Sequence, residues 1–303
     1  MKVNLNKIRD KIGSWIFVFP AVLIVISLII FPVFSSLFYS FTSKHLTRPT
    51  YNFVGFKNYI EVLTDKRFYH AFWFSIKWTA LSITLQLAVG MLLALLVNKV
   101  NFGKTVYRTI LIIPWAFPAI VISIIWKYLL NGVYGFVPNL LVDIGITDHV
   151  PQFLSDGNLV FPTILFINIW FGAPMMMVNI LSALQTIPTD QYEAAKIDGA
   201  KSFQRFRHIT VPHIKNVIGL LVVLRTIWVF TNFDMVFLLT GGGPANATTT
   251  LPIFAYNTGW GTKLLGKSAA ITIIMLLFLI VLALFIFTFL DKWEGGTSDG
   301  KKS

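Results

Sequence analysis

Hydrophobic and polar positions are arranged along this chain in long blocks, with six apolar stretches separated by polar segments. A helix needs about 20 apolar residues to cross a bilayer. The predicted spans are residues 15–37, 71–97, 108–128, 159–185, 215–239 and 268–290. Pro114 and Pro118 lie inside the third span and predict a kink there. The pattern therefore predicts an all-α integral membrane protein with about six transmembrane helices.

Composition agrees with this pattern. The 303 residues are 55% hydrophobic and 13% charged, whereas soluble domains average about 25% charged residues. The chain has no cysteine, which excludes disulfides, thiolate metal sites and a cysteine nucleophile.

The net charge of +12 is explained by where the basic residues lie. Most of them fall in residues 1–14, in the short loop after the second span, in the loop of residues 188–213 and in residues 291–303. Because cytoplasmic loops carry excess Lys and Arg, we expect both termini to be cytoplasmic and the protein to lie in the cell (inner or plasma) membrane. The same distribution argues against nucleic acid as a partner.

The loop of residues 188–213 joins the fourth and fifth spans, and its sequence predicts two short helices. Asp190 and Glu193 have the spacing of a capping box, which predicts a short helix. Gly199 predicts a left-handed helix end, and Ser202 predicts the cap of a second short helix. We expect Pro212 to stop or redirect that second helix.

This loop resembles the EAA loop of importer-type ABC permeases. The matching positions are Glu193, Ala194, Ala195, Gly199, Ile209, Val211 and Pro212, with Val211 where the family usually has Leu. In that family the loop forms a coupling helix that docks on a cytoplasmic ATPase. The resemblance therefore implies ATPase-coupling roles for Glu193, Ala194, Ala195, Lys196, Asp198, Gly199 and Pro212. The alternative is an ordinary amphipathic loop between helices. We refer to residues 188–213 as the Glu-Ala-Ala loop.

Two further segments resemble the carbohydrate-importing, maltose-type branch of these permeases. Residues 52–59 are similar to its "VGFxNY" stretch, and residues 230–251 resemble the outer segment that in related permeases faces the binding protein. The resemblance implies a six-span permease domain of residues 15–290 between cytoplasmic tails 1–14 and 291–303. It also implies a second homologous permease, two ATPase subunits that bind ATP and Mg, and an extracytoplasmic solute-binding protein. By the same resemblance, this chain catalyses no reaction and carries no cofactor or metal.

Polar side chains within the spans are candidates for the path of the substrate, because such groups are costly in a bilayer and are usually functional. Tryptophan rings beside amide groups suit a sugar, since the ring stacks on the pyranose and the amides bind its hydroxyls. The candidates are Gln86, Asn168, Met175, Asn179, Arg225, Trp228, Asn232, Phe233 and Asp234. Because Arg225, Trp228 and Asn232 have the spacing i, i+3 and i+7, we expect these three to share one helical face. The alternative for each is a hydrogen bond that holds two helices together.

Two other functions are alternatives to import driven by ATP. An ion- or proton-coupled secondary transporter would require carboxylates or histidines at the middle of the membrane, and only Asp234 approaches that position. An intramembrane enzyme would require paired catalytic groups within the spans, whereas His208 and His213 belong to the Glu-Ala-Ala loop.

Residues 261–268 match the phosphate-binding spacing G-x-x-x-x-G-K-[ST] in every letter. That motif binds phosphate only between a strand and a helix of an α/β domain. A membrane-length apolar span follows it here and no strand is expected before it, so we expect a loop with Lys267 at the membrane interface.

Overall fold

The computed structural model describes residues 18–100 and 102–295, with side chains up to residue 288. The predicted tail of residues 1–14 lies outside this range, as do residues 296–303 of the predicted C-terminal tail. Within the described residues there is no strand, and residues Thr42 and Phe53 form one isolated β-bridge. The expected all-α class is confirmed.

The described residues form twelve helices, and a π-helical turn at Asn257–Gly261 follows the eleventh. They are α1 (Val18–Ser40), α2 (Lys57–Leu63), α3 (Lys66–Lys99), α4 (Lys104–Ala116), α5 (Ala119–Leu129), α6 (Phe136–Asp143), α7 (Val160–Leu184), α8 (Thr189–Ile197), α9 (Ser202–Phe230), α10 (Asp234–Thr240), α11 (Leu251–Tyr256) and α12 (Leu265–Gly295). Helices α1, α3, α7, α9 and α12 are each long and apolar enough to cross a membrane, which gives five candidate spans, or six if the bent pair of α4 and α5 is counted as one span.

The third predicted span is broken rather than gently kinked. Helices α4 and α5 meet at an angle of 86°, and Phe117 between them is extended. Pro118 has no N–H to continue the helix, and its ring disfavours a helical conformation at Phe117. With two prolines four residues apart, the segment therefore forms two helices with a sharp bend between them, where the sequence predicted one kinked helix.

The fifth predicted span, residues 215–239, is not one continuous helix, and its outer end is wrong. Helix α9 begins at Ser202 and ends at Phe230. A new helix, α10, begins at Asp234. Hydrophobicity alone did not reveal the break, because the residues on both sides of it are apolar.

The chain divides into two compact units, which we describe separately. The larger contains Lys66–Phe254 and the described residues from Phe278 to Gly295. It has two clusters of buried apolar side chains. The first includes Trp78, Ile122, Ile164, Val229 and Met235. The second includes Ala94, Met176, Ile180, Leu184 and Ile214.

Helices α3 and α7 form the most extensive packing in this unit. Gly90 on α3 faces the backbone of α7, where an added Cβ would lie 2.5 Å from Cβ of Met176 and 3.1 Å from the carbonyl oxygen of Ala173. A glycine is therefore required for the two helices to approach this closely, as small residues do in membrane helix pairs.

The smaller unit contains the described residues up to Asp65 together with Ala255–Leu277. Its loops are tied by backbone bonds, including Gly266 N–H to the Lys44 carbonyl at 2.9 Å and Leu46 N–H to the Lys263 carbonyl at 2.8 Å. The phosphate-binding spacing of residues 261–268 falls in this unit. It follows the helical residues 251–261, not a strand, and its backbone is bonded to protein, so the phosphate-loop interpretation is rejected.

We expect Gly90→Ala to destabilise the protein by about 1–3 kcal/mol, because the new methyl group overpacks the contact between α3 and α7. Thermal unfolding in detergent measures this change. Gly157→Ala is the matched control, since nothing lies within 4 Å of its added Cβ. Equal stability of the two variants would contradict the close packing described here.

Candidate functional site

The Glu-Ala-Ala loop begins with helix α8. Pro188 occupies the N-cap position and no side chain caps the helix, so the predicted capping box of Asp190 and Glu193 is wrong. Asp190 instead lies in the first helical turn, where a carboxylate stabilises the helix dipole. The helix starts two residues earlier than the box required, with Pro188 rather than Asp190 at the N-cap position.

Helix α8 ends as predicted at Gly199. Its φ is +79°, a conformation that glycine adopts without strain. The N–H of Ala200 donates to the carbonyl of Ala195 at 2.8 Å, which is the bond of a Schellman end. No heavy atom lies within 4 Å of a Cβ added to Gly199. The backbone conformation, rather than lack of space, therefore calls for glycine.

The second half of the loop is the start of α9. Ser202 is not a cap. The side-chain oxygen of Gln204 accepts the Lys201 N–H at 2.7 Å instead. Pro212 does not stop the helix either, because a π-helical turn at Phe206–Thr210 precedes it and the α-helix resumes at Val211. Proline is tolerated in the first turn of the resumed helix. One continuous element thus runs from the loop into the membrane span.

Side-chain bonds hold the two arms of the loop together. Tyr192 and Thr210 hydroxyls are 2.8 Å apart, and Arg205 Nη1 donates to the Ala200 carbonyl at 2.9 Å. A depression of about 320 Å³ lies between the arms. It is lined by Ala195, Asp198, Gly199, Ala200, Gln204, Arg205, His208 and Ile209.

The outer surface of the loop is open to a partner. Ile197 is 87% exposed and Phe203 is 70% exposed, so both side chains present apolar surface for a contact. The residues with predicted coupling roles are exposed except for half-buried Ala195: Glu193, Ala194, Lys196, Asp198, Gly199 and Pro212. Glu193 forms no hydrogen bond or ion pair within the described part of the chain, so its charge is free for a contact across an interface.

A cluster of polar side chains lies between α3, α7 and α9. Arg225 on α9 is 4% exposed, and its Nη2 donates to Gln86 Oε1 on α3 at 2.5 Å. The Gln86 amide nitrogen donates to the backbone carbonyl of Asn168 on α7 at 2.9 Å. The Asn168 amide nitrogen donates to Ser82 Oγ at 2.8 Å. Three of the predicted path residues are therefore bonded to one another.

Glycine and soft side chains complete the surroundings of Arg225. A Cβ added to Gly172 would lie 2.5 Å from both Arg225 Nη2 and the Gln86 amide. Met175 Sδ is 3.9 Å from Nη1, and the ring of Trp228 lies 5.5 Å from the guanidinium carbon. Among the described residues no carboxylate forms an ion pair with Arg225. The contacts that stabilise its charge in the described structure are with an amide, a sulfur and an aromatic ring.

The remaining path candidates lie apart from this cluster. Asn179 donates to the Met175 carbonyl of its own helix at 2.8 Å, and Phe233 stacks on Phe237 with ring centroids 4.6 Å apart. Asn232 lies beyond the end of α9 and accepts the Met235 N–H at 3.2 Å, while Asp234 is exposed at the start of α10. The prediction that Asn232 shares a helical face with Arg225 is wrong, because the helix ends between them.

Sequence reasoning missed Ser82, which precedes Gln86 by one helical turn. Together with Ser75, whose hydroxyl accepts the Leu251 N–H at 2.8 Å, it forms a buried polar stripe along α3. The spacing of seven and four residues was the available signal. Within the described residues, no group of His, Asp and Glu side chains has an arrangement that could hold a metal ion.

Residues 86–294 match the family described as binding-protein-dependent transport system inner membrane component. This chain belongs to that family. The matched region includes the Glu-Ala-Ala loop and, of the polar cluster, Gln86, Asn168 and Arg225. Members of this family are membrane components of transport systems, which agrees with the expectation that the permease itself is not the ATPase.

Curated relatives of the permease carry names of sugar transporters. The chain is 34% identical over 251 residues to the trehalose/maltose transport system permease protein MalF of Thermococcus litoralis, covering 83% of this chain and 84% of the relative. It is 31% identical to the multiple sugar-binding transport system permease protein MsmF of Streptococcus mutans, covering 96% of this chain and all of the relative. The expected membership of the ABC importer permeases is confirmed.

Solved structures share the fold of the permease. A chain from a bacterial ABC transporter that imports the acidic polysaccharide alginate superimposes with a TM-score of 0.83 at 22% identity, covering 95% of this chain and 98% of that one. A second structure of an alginate transporter, in complex with its pentasaccharide-bound periplasmic protein, gives a TM-score of 0.81 at 21% identity, covering 94% and 96%. The fold is therefore that of an importer permease.

We expect Gln86→Leu to cost about 2–3 kcal/mol of stability, because it leaves the buried guanidinium of Arg225 without its strongest acceptor. Thermal unfolding of Gln86→Leu, Arg225→Met and the double variant tests this. The double variant should lose less than the sum of the two single variants. Gln185→Leu, at an exposed glutamine, is the control. Additive losses would contradict a direct interaction.

Proposed function

We propose that this permease moves a sugar or oligosaccharide across the cell membrane as part of an ATP-driven importer. The observation that carries the proposal is the open, glycine-ended Glu-Ala-Ala loop, which is continuous with the span that bears Arg225. The names of the relatives, trehalose/maltose and multiple sugar transport, support a carbohydrate as the substrate. The expected topology has residues 15–290 as the permease domain, with both tails in the cytoplasm.

The partners follow from this role. A second homologous permease would complete the pathway, and two ATPase subunits would bind ATP and Mg. An extracytoplasmic binding protein would deliver the sugar. The alginate transporter with its periplasmic protein is a precedent for that last contact.

Coupling in this proposal is a mechanical step. Exposed Ile197 and Phe203 would enter an apolar cleft of the ATPase, and Glu193 would pair with a cation there. When ATP closes the ATPase dimer, the loop would move with it and shift the population from inward-facing to outward-facing states.

The proposed path residues are of two kinds: some are accessible to a sugar in this structure, and others are already hydrogen-bonded to one another. Trp228 is 52% exposed and offers a ring face for stacking on a sugar. Gln86, Asn168 and Arg225 are bonded to each other in this state. They would contact a sugar after α9 has shifted, and Met175 and Asn179 would line the same side of α7. Asn232, Phe233 and Asp234 would act nearer the outer end of the path.

A secondary transporter is the less favoured alternative. The described spans hold no buried carboxylate or histidine that could carry a coupling ion, and the family to which the chain belongs depends on a binding protein.

We expect Gly199→Asp to uncouple transport, reducing sugar uptake by about tenfold while ATP hydrolysis by the complex continues. Gly199→Asn is the matched control, because asparagine has the same shape without the charge and tolerates a positive φ. Uptake and ATPase activity are measured together in proteoliposomes. Normal uptake by well-expressed Gly199→Asp would refute the coupling role.

We also expect this permease to be extracted as a complex with other subunits. Mild detergent extraction of a tagged copy, followed by mass spectrometry, should recover a second six-span protein and an ATPase. Recovery of the chain alone or as a homodimer at native expression, without an ATPase, would instead support the secondary transporter.

A further inference from the structure

The smaller unit contains a cavity of about 190 Å³ that the transport function does not use. It is large enough for several water-sized groups. Its lining consists of Thr42, Ser43, Lys44, Val54, Lys57, Asn58, Glu61, Leu264, Gly266 and Lys267. Lys267 and Gly266 both belong to residues 261–268, which have the spacing of a phosphate-binding loop but not its structural context.

The cavity has an excess of positive charge. Three lysines and one carboxylate line it. Glu61 lies 3.6 Å from the Lys267 ammonium and 4.0 Å from the Lys57 ammonium. The Lys267 side chain is 17% exposed, whereas Lys44 lies over the ring of Tyr51 at 4.6 Å. One carboxylate cannot neutralise three ammonium groups, so the cavity attracts an anion.

The walls of the cavity are preorganised. The Asn58 amide nitrogen is 2.8 Å from the carbonyls of both Ser40 and Thr42. A Cβ added to Gly266 would lie 2.1 Å from the Thr42 carbonyl oxygen, so only glycine permits this approach. An anion would therefore bind without the cost of ordering the loops.

The cavity adjoins the ends of two membrane helices. Helix α1 ends at Ser40 and α12 begins at Leu265, and in the predicted topology these ends lie outside. Phe53, Phe56 and Ile60 next to the cavity are 72%, 68% and 62% exposed. Aromatic side chains and lysines at the end of a span are typical of the lipid headgroup region.

We propose that this cavity binds the phosphate of a phospholipid headgroup and prefers anionic lipids. The lysines bind the phosphate, while exposed Phe53, Phe56 and Ile60 contact the glycerol and upper acyl region. The apolar rim favours a lipid over an acidic side chain of a protein partner. Phe41, the residue after α1, contacts the rings of Phe53 and Phe56 with centroids 6.3 Å and 5.3 Å apart, and the apolar membrane-length stretch of α1 has no buried residue.

The test uses the full chain with its co-purifying subunits, reconstituted in nanodiscs that contain phosphatidylglycerol and phosphatidylcholine. Native mass spectrometry measures the phosphatidylglycerol retained. We expect Lys44→Gln and Lys267→Gln each to lower its relative affinity by roughly fivefold. Glu61→Gln should raise the affinity, because it removes the only negative charge in the lining.

Lys263→Gln is the matched control, because it removes a neighbouring charge outside the cavity lining. Equal retention by all variants would overturn the proposal. So would weaker docking of the binding protein to Lys267→Gln with lipid retention unchanged, since the cavity would then serve that protein. Stabilisation of the lipid-free complex by inorganic phosphate alone would assign the site to a soluble anion. None of these outcomes bears on sugar uptake, which the Gly199 variants test separately.

Discussion

The buried guanidinium of Arg225 is the constraint around which the larger unit is arranged. A charged group at membrane depth is costly unless polar partners surround it, and here those partners come from two other helices. Gln86 and Gly172 bring α3 and α7 against α9, and the absence of a side chain at Gly172 makes room for the contact. The two apolar cores, around Ile164 and around Ile180, lie on either side along α7. The polar cluster thus fixes which helical faces meet.

The same helix joins this cluster to the Glu-Ala-Ala loop. Helix α9 has 29 residues, which corresponds to roughly 43 Å at ~1.5 Å per residue. Its π-helical turn at Phe206–Thr210 lies near the loop end, and such turns are frequent at functional sites. Tyr192 ties α8 to the turn through Thr210. A force applied to α8 would therefore act on the end of a stiff element whose far part holds Arg225.

Much of this arrangement could be predicted from sequence, and the failures have physical causes. Six apolar blocks and the left-handed Gly199 follow from local rules, because hydrophobicity and φ > 0 are properties of single segments. Three other features do not follow from local rules: the sharp bend at Pro118, the continuation of α9 through Pro212 and the end of α9 before Asn232. Each depends on which neighbouring groups satisfy freed backbone atoms, and that is a tertiary property. The bond between Gln86 and Arg225 joins residues 139 positions apart, so residue types could suggest the participants but not the pairing.

The pairing also limits how a sugar could be recognised. The oxygen and nitrogen of the Gln86 side chain are both engaged, and the amide nitrogen of Asn168 is bonded to Ser82. A sugar hydroxyl that took one of these positions would replace an existing bond, and such an exchange has a small net free energy. The exposed ring of Trp228 needs no such exchange. If these residues line the path as proposed, stacking on Trp228 needs no rearrangement, whereas strong hydrogen bonding to the cluster would require α9 to move first. Since α9 begins in the Glu-Ala-Ala loop, the same movement that would follow ATPase closure would also change how tightly the path holds its substrate.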